Sequence, residues 1–128
     1  MIKTKKGLNL PIAGSPQQTI EVSRPARSVA LVGFDYPGLK PTMEVAVGDR
    51  VVTGQLLFTD KKTPGIQFTA PACGTVSAIN RGAKRVFQSL VIDVEAGDAK
   101  QFASYTAAQL KDLGRAQVVE QLIESGEW

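Results

Sequence analysis

The chain has no histidine and only one cysteine among its 128 residues. Without histidine, these residues alone form neither a Ser-His-Asp triad, nor a Cys-His pair, nor a histidine-ligated metal site. A single cysteine likewise excludes an internal disulfide, a thiolate zinc site and an iron–sulfur cluster ligated by this chain alone. The unpaired cysteine and the lack of a signal peptide predict a reducing, cytoplasmic setting.

Long apolar runs and abundant aromatic residues are also missing. No run approaches the roughly 18–20 apolar residues that a membrane-spanning helix needs. Aromatic residues are 6% of the chain and are not interleaved with its basic residues, so a stacking surface for single-stranded nucleic acid is not expected. The net charge of +3 is too small on its own to indicate nucleic-acid binding. We therefore expect no nucleic-acid partner.

Short predicted strands, separated by glycine-marked turns, fill residues 42–94. Apolar and polar residues alternate over residues 43–47, and Gly48 with Asp49 then predicts a tight turn. Residues 56–58 predict a buried strand, and residues 60–65 predict a hairpin loop that carries two lysines. Strands this short cannot bury an apolar face alone, so we expect two small sheets that pack on each other.

Further strands are predicted on both sides of this stretch. Residues 1–10 have the pattern of an edge strand protected by lysines, and a loop enters a strand at residues 19–22. Residues 28–32 predict a strand that is buried on both faces. The last predicted strand covers residues 86–94. Its core-facing side chains are predicted to be Val86, Leu90, Ile92 and Val94.

Helical patterns begin after residue 98. Thr106 and Gln109 have the spacing of a capping box, which predicts a short helix after them. Residues 115–125 place four apolar side chains on one helical face, and Gly126 stands where a left-handed residue ends many helices.

Two segments are therefore expected along the chain. Residues 1–98 are predicted to form a β domain with its core at residues 42–94, and residues 99–128 are predicted to form a helical segment. Because the large apolar residue Trp128 has nothing after it, we expect this segment to lead into a further domain.

Three motifs resemble the biotinyl/lipoyl-like barrel-sandwich fold. They are the run V-G-D-x-V-x-x-G-Q-x-L, the lysine-bearing hairpin, and A-P-x-x-G-x-V. The resemblance implies a mainly β (α+β) fold, a barrel-sandwich hybrid with a short C-terminal helical segment.

Lys61 lies where such domains carry a lipoyl group. Asp60 and Lys61 resemble the D-K pair of lipoyl acceptors, which makes Lys61 the candidate acceptor. However, the strand before Asp60 is short for that class, and Pro64 with Gly65 enlarges the loop. These features favour two solvated loop lysines instead.

A second basic hairpin is the candidate docking element. It carries Arg81, Lys84 and Arg85 within N-R-G-A-K-R. Together with Lys3, Lys5 and Lys6, these residues are suited to an acidic partner or to lipid headgroups. A solvated surface that aids solubility is the alternative.

Four longer segments resemble one protein family. They are MIKTKKGLNLPIAGSP, RSVALVGFDYPGLKPTMEVAVGDRVVTGQLLF, DKKTPGIQFTAPACGTVSAINRGAKR and QVVEQLIESGEW. Together they resemble the N-terminal region of the NqrA family, the A-type subunits of Na⁺-translocating NADH:quinone reductases. The barrel part is also similar to the related C-type subunit of the Rnf complex.

This resemblance implies a place in a bacterial complex that passes electrons from NADH to ubiquinone and exports Na⁺. It implies that flavins, 2Fe–2S centres and ubiquinone belong to the parent complex and that this fragment holds no cofactor. The expected partners are the other subunits, including membrane subunits, and ubiquinone through the full-length subunit. The expected location is peripheral, on the cytoplasmic face of the inner membrane.

Three functions remain open from the sequence. The first is a structural and docking module of such a reductase, without catalytic residues of its own. The second is a carrier domain lipoylated on Lys61. The third is a free-standing protein that binds a small molecule.

Overall fold

The structure is a computed structural model, and it describes residues 13–128. In chain order the strands are β1 (Ser28–Val32), β2 (Pro41–Met43), β3 (Arg50–Val51), β4 (Leu56–Asp60), β5 (Gln67–Thr69), β6 (Gly74–Arg81) and β7 (Phe87–Val94). Helix α1 covers Arg115–Ser125, and 3₁₀ turns cover Gly33–Asp35, Ala83–Arg85 and Gln109–Lys111.

Two antiparallel sheets form the β domain. One has the strand order β1-β7-β6-β3, and the other has the order β2-β4-β5. Every pair of neighbouring strands is antiparallel. The prediction of a mainly β fold with a C-terminal helical segment is confirmed.

The apolar core lies between the two sheets. Phe58 from β4 is fully buried and stacks on Phe68, with 4.6 Å between the ring centroids. Phe58 also meets Phe87 from the other sheet edge-on, at 5.2 Å. The core cluster consists of Val51, Leu57, Phe58, Ala70, Val76, Phe87, Leu90 and Ile92. Neither sheet could bury this surface alone, which is the physical reason for the two-sheet arrangement.

The inward face of β7 differs from the prediction at both ends. Asn80 pairs with Ser89 but Arg81 pairs with Phe87, so Gln88 is an extra residue in a β-bulge. The bulge turns Phe87 toward the core in place of Val86, which is 49% exposed. Val94, at the end of the strand, is also exposed.

Several predicted strand boundaries were wrong. Residues 19–22 form no strand, and Ile20 and Val22 are fully exposed, because no other strand pairs with them in the described part of the chain. Strand β1 is confirmed, but its burial alternates, since only one of its faces is covered. Strand β2 ends at Met43, although the alternating pattern continues to residue 47. The strand predicted at residues 1–10 lies outside the described residues.

The helix predicted at the C-terminus is confirmed with the same bounds. Gly126 ends it with a left-handed φ of 81°. Thr106 and Gln109 do exchange capping hydrogen bonds, but only a 3₁₀ turn follows them. The helix lies against β5, where the hydroxyl of Thr69 donates to the carbonyl of Ser125 at 3.0 Å.

Candidate functional site

Three connections of the β domain converge on one groove of about 690 Å³. They are residues 33–41 between β1 and β2, the β4–β5 hairpin, and the β6–β7 hairpin. Six cationic side chains line this groove, which we call the basic groove: Lys40, Lys61, Lys62, Arg81, Lys84 and Arg85. The structure therefore brings together the candidate acceptor lysine and the three candidate docking residues, which the sequence presents as separate hairpins.

Backbone hydrogen bonds join the first two connections. The amide of Lys61 donates to the carbonyl of Lys40 at 2.9 Å. A side-chain oxygen of Asp60 accepts from the amides of Lys40 and Lys62, both at 3.1 Å. These two amides, that of Lys40 first, hold the pKa of Asp60 below its ordinary value. A charged Asp60 thus fixes both lysine-bearing segments at the groove.

Gly33 brings the first connection against the third. A Cβ atom at Gly33 would lie 2.4 Å from the carbonyl oxygen of Phe87, so only glycine permits this approach. Gly38 similarly leaves room for the ammonium of Lys62, since a Cβ there would lie 3.3 Å from that nitrogen. The loop of residues 33–41 therefore contacts both hairpins and sets their separation.

The tip of the β6–β7 hairpin has an unusual backbone. Lys84 and Arg85 both have positive φ angles, 54° and 61°. The tip is closed by the amide of Gly82, which donates to Val86 at 2.8 Å, and by the amide of Arg85, which donates to Gly82 at 3.0 Å. A left-handed conformation costs a non-glycine residue roughly 1–2 kcal/mol. Strain of this kind is often found where a protein binds a partner.

Apolar groups border the same groove. Phe34 is 72% exposed, and Tyr36 and Val86 are also exposed. The ring of Tyr36 packs edge-on against Phe68 at 4.8 Å, so it is tied to the core. Phe87 belongs to both regions, because it is buried in the core cluster and also lines the groove. The site thus offers cations and apolar surface side by side.

The only nearby carboxylate that contacts the lysine-bearing segments of the basic groove among residues 13–128 is Asp60, and it forms no ion pair with any of the six cations. Among residues 13–128 the ion pairs are Arg50–Glu95 at 3.5 Å and Lys100–Glu124 at 2.9 Å, and neither lies in the groove. No acidic residue lines it. Residues 1–12 contain no Asp or Glu. The arrangement is suited to binding an anion rather than to acid–base chemistry.

The other candidate features carry no comparable site. Cys73 is buried and lies against Gly97, where a Cβ would be 2.2 Å from its sulfur; a free cysteine in such a place packs as a small apolar residue. Among residues 13–128 there is no cluster of three or more potential metal ligands. With one cysteine and no histidine in the chain, the residues do not fit a 2Fe–2S cluster. Lys3, Lys5 and Lys6 lie outside the described residues.

Sequence reasoning missed Lys40. It precedes β2, whose first residue, Pro41, pairs with Asp60 at the end of β4. This pairing places Lys40 beside Lys61 although 21 positions separate them in the sequence. A correct prediction of the β2–β4 register would have found it. No helix among residues 13–128 has the length and apolarity needed to cross a membrane.

Comparison with known proteins identifies close relatives. A family model described as the NqrA N-terminal barrel-sandwich hybrid domain matches residues 2–95. Three proteins named as Na⁺-translocating NADH-quinone reductase subunits of type A are similar over all 128 residues. The protein from Hahella chejuensis is 64% identical, and those from Teredinibacter turnerae and Pseudomonas aeruginosa are each 59% identical. The chain spans 29% of the length of each relative.

The family match and the geometry agree. The matched range contains both sheets and all three connections that form the basic groove. The chain belongs to the family of NqrA N-terminal barrel-sandwich hybrid domains.

Proposed function

We propose that this chain is a docking module within the NqrA-type subunit of a Na⁺-translocating NADH:quinone reductase. Its relatives are named as such subunits, and the chain corresponds to 29% of their length. In this proposal the parent complex transfers electrons from NADH to ubiquinone and exports Na⁺. The chain itself holds neighbouring subunits in place and supplies no reacting group.

The basic groove is the observation that carries this proposal. Six cations converge from three connections, and no carboxylate lines the space between them. Concentrating like charges is unfavourable unless an anionic group completes the site. Arg81, Lys84 and Arg85 are the proposed docking residues, and Lys40, Lys61 and Lys62 extend them across the groove. The partner is another subunit of the complex.

We also propose a domain arrangement for the chain. Residues 1–98 form the β domain, and residues 99–128 form a helical segment that connects it to a downstream domain. The amide of Lys100 donates to the carbonyl of Thr53 at 2.8 Å, and the hydroxyl of Thr69 donates to the carbonyl of Ser125 at 3.0 Å; both hydrogen bonds hold this segment against the β domain. A segment fixed in this way would transmit the orientation of the β domain to whatever follows.

Flavins, 2Fe–2S centres and ubiquinone belong, in this proposal, to other parts of the complex. The single cysteine and the absence of histidine in the chain support that assignment for the iron–sulfur centre. The proposed location is peripheral, at the cytoplasmic face of the bacterial inner membrane, with the membrane subunits as anchors.

The docking role is tested by reversing charge in the groove of the natural protein that carries this chain. A Lys61→Glu/Arg85→Glu variant should lose the other subunits during affinity purification from detergent-solubilised membranes. The matched control, Lys111→Glu/Arg115→Glu, makes the same change in net charge outside the groove and should retain them. Equal retention by both variants would refute the docking role.

A second candidate function is a lipoyl carrier modified on Lys61. The observation in its favour is the position of Lys61, which is exposed at a hairpin between two strands of one sheet. Intact-mass measurement after expression in lipoate-supplied cells tests it, with Lys61→Arg as the unmodifiable control. An adduct that disappears in the Lys61→Arg variant would establish this function, and an unmodified mass would exclude it.

A further inference from the structure

The basic groove is concave, and its cationic residues belong to separate hairpins and to the loop between β1 and β2. Lys61 and Lys62 come from one hairpin, whereas Arg81, Lys84 and Arg85 come from another, and residues 33–41 lie between them. A flat charged surface would contact only the outermost of these side chains. A narrow chain that enters the groove would contact both sets at once. The shape therefore favours a polypeptide segment over a bilayer surface.

The border of the groove adds an apolar requirement. Phe34 is 72% exposed and Val86 is 49% exposed, and both lie among the cations. A purely ionic ligand such as inorganic phosphate would leave these groups in contact with water. A ligand with carboxylates and at least one large apolar side chain would cover them and pair with the cations at the same time.

The left-handed backbone at the tip of the β6–β7 hairpin is a further observation in favour of a binding surface. Lys84 and Arg85 are adjacent, both have positive φ angles, and both carry long cationic side chains. Glycine at either position would remove the strain, but it would also remove a cation from the groove. The chain therefore has cationic residues where backbone energy alone favours glycine, as expected if their charges are needed for binding.

We propose that the basic groove binds an extended acidic peptide segment of a partner protein, with an apolar side chain seated against Phe34 and Val86. This inference rests on the proposed docking role and specifies its ligand chemistry. Carboxylates of the segment pair with Lys61 and Lys62 on one side and with Arg81 and Arg85 on the other. Such contacts are screened by salt, because the Debye length is about 10 Å at 0.1 M and about 3 Å at 1 M.

The test uses a fluorescent peptide of alternating Asp and Glu with one central Phe. Fluorescence anisotropy should show binding to the chain at low ionic strength that disappears as NaCl approaches about 1 M. Lys61→Glu/Arg85→Glu should weaken binding at least about tenfold, because each attraction becomes a repulsion. Lys111→Glu/Arg115→Glu should leave it unchanged. Circular dichroism and thermal unfolding of both variants confirm that they remain folded.

The apolar contact has its own readout. Phe34→Ala should weaken binding by about threefold to tenfold, and replacing Phe by Ala in the peptide should weaken it to the same extent. The two changes combined should cost little more than either alone, since both remove one contact. Independent, multiplicative losses would contradict the proposed position of the apolar side chain.

Two other ligands are the outcomes that overturn the proposal. Groove-dependent binding to phosphatidylglycerol vesicles without binding to the peptide would identify a lipid surface instead. Displacement of the peptide by inorganic phosphate, but not by sodium chloride at the same ionic strength, would identify a simple anion site. In both cases a loss of subunits by the groove variant during purification would leave the docking role intact. The ligand chemistry and the docking role can therefore fail separately.

Discussion

The core between the two sheets and the basic groove at their end have opposite compositions. The core is wholly apolar, because no polar or charged residue is buried among residues 13–128. The basic groove collects six cations and leaves Phe34 largely in water. Phe87 belongs to both regions. In this account stability resides mainly in the core and the proposed recognition in the groove, and aromatic side chains such as Phe87 and Tyr36 connect the two.

This difference separates two kinds of residue that look alike in the sequence. Phe58 and Phe34 are both single aromatic residues within short segments, yet one is fully buried and the other is 72% exposed. Changes in the core should alter the free energy of unfolding. Changes at exposed groove positions should alter binding with little effect on folding.

The largest expected effect is at the core. Phe58→Ala removes a ring that stacks on Phe68 and meets Phe87, so the free energy of unfolding should fall by about 3–5 kcal/mol. Urea denaturation followed by circular dichroism measures this change. Phe34→Ala is the matched control and should stay within about 0.5 kcal/mol of the wild type. Similar losses in the two variants would break the distinction between core and groove.

A substitution at Gly33 tests whether the shape of the groove depends on the close contact between this loop and β7. In a Gly33→Ala variant the new methyl group would lie 2.4 Å from the carbonyl oxygen of Phe87. The loop and β7 must then separate, and the free energy of unfolding should fall by about 1–3 kcal/mol. Asp35→Ala, two positions away and exposed, should have little effect. A stable Gly33→Ala variant with unchanged peptide binding would show that the loop does not set the groove.

Asp60 should produce a smaller, pH-dependent effect. Its pKa is lowered in the folded state by the amides of Lys40 and Lys62, so its stabilising contribution is complete well above the ordinary pKa near 3.8. That contribution is lost as the pH falls through the lowered value. Asp60→Asn should therefore be less stable than the wild type at pH 7, and the difference should shrink as the pH approaches 3. A difference that is constant with pH would contradict this role of the carboxylate.

The sequence correctly predicted the elements whose formation depends on residues close together in the chain. The hairpin at residues 60–65 follows from Asp60, Pro64 and Gly65, and α1 follows from apolar spacing ended by Gly126. Residues 19–22 had a strand pattern but have no partner strand among residues 13–128. Strand formation requires pairing with another part of the chain, so periodicity alone could not decide it.

The groove was predictable only in parts. Lys61 and the cluster of Arg81, Lys84 and Arg85 were visible as two basic hairpins, but their meeting depends on sheet pairing between distant residues. Lys40 reaches the groove through the pairing of Pro41 with Asp60. The left-handed backbone lies at Lys84 and Arg85 rather than at nearby Gly82, in a hairpin whose register is shifted by the β-bulge at Gln88. No local signal in the sequence contains that shift.

The smallest expected change in stability gives the most direct test. Lys84→Gly removes a cation and relieves a left-handed conformation, at the cost of greater freedom in the unfolded chain. The free energy of unfolding should therefore rise by about 0.5–1 kcal/mol. Binding of the acidic peptide should weaken by about twofold to fivefold.

The decisive experiment determines two quantities for the Lys84→Gly variant on one sample: its free energy of unfolding and its affinity for the acidic peptide. We predict that stability rises while affinity falls, because the charge is kept at the hairpin tip for binding. A variant that binds the peptide as tightly as the wild type, or that loses stability together with affinity, would contradict the account.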